Sequence, residues 1–97
     1  MPIRADLTPY QLGYERKARK ALESLSDENL ERVLLALQTL ALTAHGDVNY
    51  LGDGYAGEYR LRVGDLRIFF DVVLPQRIIR VASLEKRGEA YKKKSKR

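Results

Sequence analysis

Arg60, Arg62 and Arg67 stand at spacings that one surface could gather. Arg60 and Arg62 alternate with Tyr59, Leu61 and Val63, and Arg67 follows shortly after a Gly64-Asp65 pair. Gly-Asp suits the positive φ values of a two-residue hairpin turn, and the runs on either side are rich in β-branched and aromatic residues. Folded about that turn, Val63 faces Leu66, Arg62 faces Arg67, Leu61 faces Ile68, Arg60 faces Phe69 and Tyr59 faces Phe70. Side chains alternate between the faces of a strand. Tyr59, Leu61, Val63, Leu66, Ile68 and Phe70 then share an apolar face, while Arg60, Arg62, Arg67, Phe69 and Asp71 share the other. Like charges repel across a strand pair, so an anion is the natural occupant of this second face. The planar guanidinium fork can hold two oxygens of a phosphate at once. With a pKa above about 12, arginine stays protonated. Arg60 and Arg62 are therefore suited to charge stabilisation and poorly suited to removing a proton.

The other candidates for chemistry are fewer. The chain has no cysteine and a single histidine, His45, which excludes thiolate zinc sites and histidine-rich metal sites. His45 opens a loop and is expected as a surface or helix-terminal residue. Tyr91 can stack on a splayed base, exchange a proton through its phenol, or pin the C-terminal segment by packing. Phe69 is either a stacking surface or part of a seat for that segment. Glu58, Glu85 and Glu89 are the nearby carboxylates, and sequence alone places none of them as a base.

Positioning these groups takes a fold of two layers. Ninety-seven residues make one domain, read as 1–97 with a basic tail at about 92–97. The net charge of +5 is unevenly placed, for Lys86 to Arg97 holds seven Lys/Arg against one Glu. A polyanion is the expected partner for such a distribution. No apolar run is long enough to span a membrane, and the N-terminus lacks the apolar core of a signal peptide. Together with the missing cysteines, this makes the cytoplasm the expected location.

Met1 to Leu7 reads as a short strand. Thr8 and Pro9 read as the cap and first residue of a helix that continues from Tyr10 to Leu25. Ser26 caps a second helix, whose stripe of Leu30, Val33, Leu34, Leu37, Leu40 and Ala41 has helical period. Residues 44–56 read as loop. After the hairpin, a turn at Pro75-Gln76 sets Val73 against Ile78 and Asp71 against Arg80, with a strand from Ile78 to Leu84. Arg80 is then expected as a cross-strand partner of Asp71. From Glu85 the chain is expected to leave the sheet. The class is α+β, an antiparallel sheet with a helical hairpin on one face, in the order β-α-α-β-β-β.

With these residues in place, the run from Gly57 to Val72 resembles the central hairpin of the RelE/ParE toxin superfamily. Arg80-Val81 and the ending Lys86-Arg87-Gly88-Glu89-Ala90-Tyr91-Lys92 resemble its RelE branch. The resemblance covers nearly the whole chain. It implies a toxin of a type II toxin–antitoxin system, an mRNA interferase that inhibits translation and is held in check by a cognate antitoxin. Such a toxin cuts mRNA on the ribosome by metal-independent attack of the 2′-OH and needs no cofactor. It further implies catalytic roles for Arg60, Arg62, Arg67, Arg87 and Tyr91, and RNA binding by Lys86, Lys92, Lys93 and Lys94. The chain departs from the family by carrying arginine where RelE has lysines (Arg60 and Arg62) and Glu85 where a basic residue is common. These departures bear on proton transfer and keep a catalytically weakened RNA-binding member open. The ParE side of the superfamily, which poisons DNA gyrase without cutting RNA, is the other alternative.

Overall fold

The computed structural model describes residues 3–52 and 57–86. A 3-10 turn at Ala5–Leu7 is followed by β1 (Gln11–Tyr14), α1 (Arg16–Glu23), α2 (Asp27–Thr43), β2 (Val48–Tyr50), β3 (Tyr59–Val63), β4 (Leu66–Val73) and β5 (Ile78–Lys86). The strands form one five-stranded sheet in the order β1-β5-β4-β3-β2. The α+β class holds. The sheet is mixed where a purely antiparallel one was expected, because β1 joins β5 in parallel.

The hairpin register is the one the turn and alternation require, from Tyr59 opposite Phe70 to Val63 opposite Leu66. Val73 lies opposite Ile78 and Asp71 opposite Arg80, also as expected. Leu61, Leu66, Ile68, Phe70, Ile79 and Val81 are buried against Ala18 and Leu22 of α1 and Val33, Leu37, Leu40 and Ala41 of α2. The helices thus cover one face of the sheet and leave the arginine face on the other side. Ser26 caps α2 as its hydroxyl accepts from the Asn29 N–H at 3.2 Å, with Asp27 and Glu28 in the first turn. The helix ends at Ala44, which takes a left-handed conformation at φ 65° and donates its N–H to the Leu40 carbonyl.

The N-terminal quarter departs from expectation. Among the described residues of the predicted first strand, Ala5–Leu7 forms the 3-10 turn, and Thr8 donates its hydroxyl to the Ala5 carbonyl instead of capping a helix. The predicted helix from Tyr10 splits into β1 and the shorter α1. Gly13 is a poor helix residue, and the open edge of β5 offers this segment regular backbone pairing. Gln11 donates to Arg77 and Glu15 to Val81, at 2.8 and 2.9 Å. The 44–56 loop likewise contains β2, whose three residues are too few to show a period. β2 pairs with the outer edge of β3, setting Val48 against Leu61, Asn49 against Arg60 and Tyr50 against Tyr59.

β5 also runs on to Lys86, past the expected end at Leu84, because β4 still offers partners there. A bulge makes this possible. Phe70 faces Val81 but Phe69 faces Ser83, so Ala82 is the extra residue.

Gly57 fixes where β3 begins. A Cβ on it would stand 2.7 Å from the Phe70 backbone nitrogen and 2.9 Å from its carbonyl oxygen. Backbone cannot swing aside as a long side chain can. Gly57→Ala is therefore expected to destabilise the fold by about 1–3 kcal/mol through overpacking, measured as a lower denaturation midpoint with unchanged m-value.

Candidate nucleic-acid interface

On the face away from the helices, the strands place side chains in rows. One row contains Asn49, Arg60, Phe69 and Ser83. The next contains Arg62, Arg67 and Glu85, with Asp47 beside Arg62 at the sheet edge. Arg60, Arg62 and Arg67 line one hollow of ≈ 170 Å³, closed at the turn by Gly64 and Asp65. The convergence expected from alternation is therefore real.

The three guanidinium groups are held differently. Arg60 is half-buried between Asn49 and Phe69, and with the Asn49 amide oxygen turned toward it, Asn49 accepts from Nη2. Its Nε is buried without a hydrogen-bond partner. Arg62 is exposed and pairs through Nε with Asp47 at 3.2 Å. An ion pair this open to solvent contributes about 0–1 kcal/mol, so a phosphate can displace it at little cost. Arg67 is half-buried between Arg62 and Glu85. Acidic neighbours of Arg62 and Arg67 were not legible, since Asp47 lies in a segment read as loop and Glu85 beyond the expected end of the last strand.

Arg80 has a structural role. It meets Asp71 at 3.6 Å and Glu15 at 3.3 Å, and Asp71 also accepts the Glu58 N–H at 2.8 Å. This network ties the start of α1 to the sheet. Lys86 lies opposite Leu66, which puts it on the helix side and apart from the arginine row. Phe69 is only 8% exposed, so little of its ring is open to a base. His45 is exposed after α2 and donates its backbone N–H to the Thr43 hydroxyl. Arg87, Tyr91, Lys92, Lys93 and Lys94 lie outside the described residues. Burial pushes the phenols of Tyr14 and Tyr59 up, which suits neither for proton transfer near neutral pH, and both belong to the core side. Sequence reasoning missed Arg32 of α2. Its Nη2 lies 2.6 Å from where a Cβ on Gly64 would be, where φ is +62°.

Solved structures share this architecture. A chain of the RelE–RelB complex from Pyrococcus horikoshii OT3 is 28% identical, with a TM-score of 0.68 over 84% of this chain and 98% of that one. A chain of the RelBE2 toxin–antitoxin complex from Mycobacterium tuberculosis is 21% identical, with a TM-score of 0.70 over 81% and 92%. One from the Escherichia coli RelBE complex is 19% identical, with a TM-score of 0.56 over 79% and 95%. No protein-family model matches the sequence, and no curated protein matches it. Fold and hollow together define a small α+β protein with a basic sheet face. That fold is RelE-like.

Proposed function

We propose that this chain is the toxin of a toxin–antitoxin pair and acts as a ribosome-dependent mRNA endonuclease in the cytoplasm. The observation that carries the reading is the hollow lined by Arg60, Arg62 and Arg67 on the open sheet face of a RelE-like fold. RNA cleavage without a metal needs three things: the 2′-OH in line with the adjacent phosphorus, stabilisation of charge growing on the phosphoryl oxygens, and control of two protons. The arginines supply the second. The described residues hold no histidine pair in the hollow, so in-line alignment falls to the ribosome, which holds the message. The family resemblance also assigns catalytic roles to Arg87 and Tyr91, which lie outside the described residues. The neighbouring structures are toxin–antitoxin complexes, which supports an antitoxin partner, and an acidic chain would complement the basic face.

Expression of the protein should arrest translation and cut messages only where ribosomes engage them, as read by primer extension on mRNA from expressing cells. Intact messages with DNA breaks accumulating at gyrase would replace this reading with the ParE-like one.

A further inference from the structure

The arginines that line the hollow cannot take a proton, and the bulge in β5 brings a carboxylate beside them. Ile79 and Val81 point into the core, while Arg80 lies on the arginine face opposite Asp71. Unbroken alternation would then turn residues 83 and 85 toward the core. The extra residue at Ala82 reverses the phase. Leu84 pairs with Ile68 on the core side, and Ser83 and Glu85 emerge on the arginine face beside Phe69 and Arg67. Bulges commonly re-aim a side chain beside a functional site.

Glu85 is exposed and directly opposite Arg67, yet the two side chains do not close an ion pair. Among the described residues, the other carboxylates of this face are committed or displaced. Asp47 pairs with Arg62, and Asp71 is held by Arg80 and the Glu58 N–H. Glu58 precedes β3, beyond the far end of the β3–β4 pairing from Arg67. Asp65 sits at the tip of the turn, beyond the last paired row. Cross-strand neighbours stand about 5 Å apart, so a phosphate held by the Arg67 guanidinium would bring its adjoining ribose within reach of Glu85.

We propose that Glu85 is the general base of the cleavage reaction. The proposal rests on the endonuclease reading above and names the group that reading lacks. The ionised carboxylate takes the 2′-OH proton as the 2′-oxygen bonds to phosphorus. The bond from phosphorus to the 5′-oxygen breaks, and that oxygen takes a proton from water, leaving a 2′,3′-cyclic phosphate and a 5′-hydroxyl. Among the described residues, the charged groups around Glu85 are Arg67 opposite it, Arg62 one strand further with its partner Asp47, and Asp65 at the turn.

The test is single-turnover cleavage of mRNA on programmed ribosomes across a pH series, using the full chain. Glu85→Gln, which keeps size and polarity but cannot accept the proton, should slow cleavage about a hundredfold. It should also flatten the limb of the profile that rises with pH, while ribosome affinity and melting temperature stay unchanged. Glu85→Asp should recover part of the rate and the sloping limb. Wild-type cleavage matched by Glu85→Gln overturns the proposal alone, as does a slowed variant that keeps the wild-type pH profile. A wild-type protein that leaves ribosome-bound mRNA whole overturns the endonuclease reading itself, and Glu85 as base falls with it.

Discussion

Arg67→Ala is expected to slow cleavage of ribosome-bound mRNA by a hundred- to a thousandfold, about 2.7–4 kcal/mol of lost transition-state stabilisation. Arg67 is singled out by position. It is half-buried in the middle of its row, with Arg62 on one side and Glu85 on the other, and it lines the hollow directly. Its partly desolvated guanidinium feels less solvent screening than the exposed Arg62, so charge developing on a bound phosphate is stabilised more strongly by it. Since the interaction strengthens as the phosphorane forms, the loss should appear in the single-turnover rate and little in affinity for the ribosome. Arg67→Lys should recover only part of the rate, because an ammonium cannot reproduce the two-pronged contact. Arg80→Ala makes a useful contrast, since Arg80 is tied to Asp71 and Glu15 and should affect stability ahead of rate. An Arg67→Ala protein that cuts at the wild-type rate would remove the hollow from the chemistry.

What was legible in the sequence follows from which interactions are local. The β3–β4 register could be read because a two-residue turn and a period of two leave one solution, and a slip of one residue would turn every core side chain outward. The same logic carried across Pro75-Gln76 to set Asp71 against Arg80. β1 was hidden because Tyr10, Tyr14, Ala18 and Leu22 happen to recur every fourth residue, which reads as one helix. Only the parallel partner in β5, far along the chain, makes Gln11–Tyr14 a strand. The bulge left a trace that could have been used. Apolar residues occupy odd positions at Ile79 and Val81 and even ones at Ala82 and Leu84, a change of phase that places the extra residue near Ala82. Asp47 and Asn49 gave no such signal, because their approach to Arg62 and Arg60 depends on β2 adding to the edge of the sheet.

Phe70→Ala should be the most damaging single change to the fold, costing about 3–5 kcal/mol. Phe70 is fully buried in β4, stacked on Tyr59 with ring centroids 5.4 Å apart and an interplanar angle of 15°. Tyr59 in turn meets Tyr50 of β2 edge-on at 5.3 Å, so the ring anchors a short aromatic chain running to the sheet edge. Removing it leaves a cavity in the core it shares with Leu37, Leu40, Ile68 and Val81, which those side chains can only partly fill. Domains of this size are stable by about 5–15 kcal/mol, so the loss takes a large share of the total and should lower the melting temperature by roughly 12 °C or more. Phe70 also stands at the bulge, with Val81 as its partner and Ser83 as that of its neighbour Phe69. Weakening its packing should therefore loosen the device that turns Glu85 toward Arg67, and cleavage should fall faster on warming than in the wild type. Phe70→Leu, which keeps most of the volume, should recover most of the stability and the activity together. A Phe70→Ala loss below about 1 kcal/mol by denaturant titration would mean that the core is not centred on this ring.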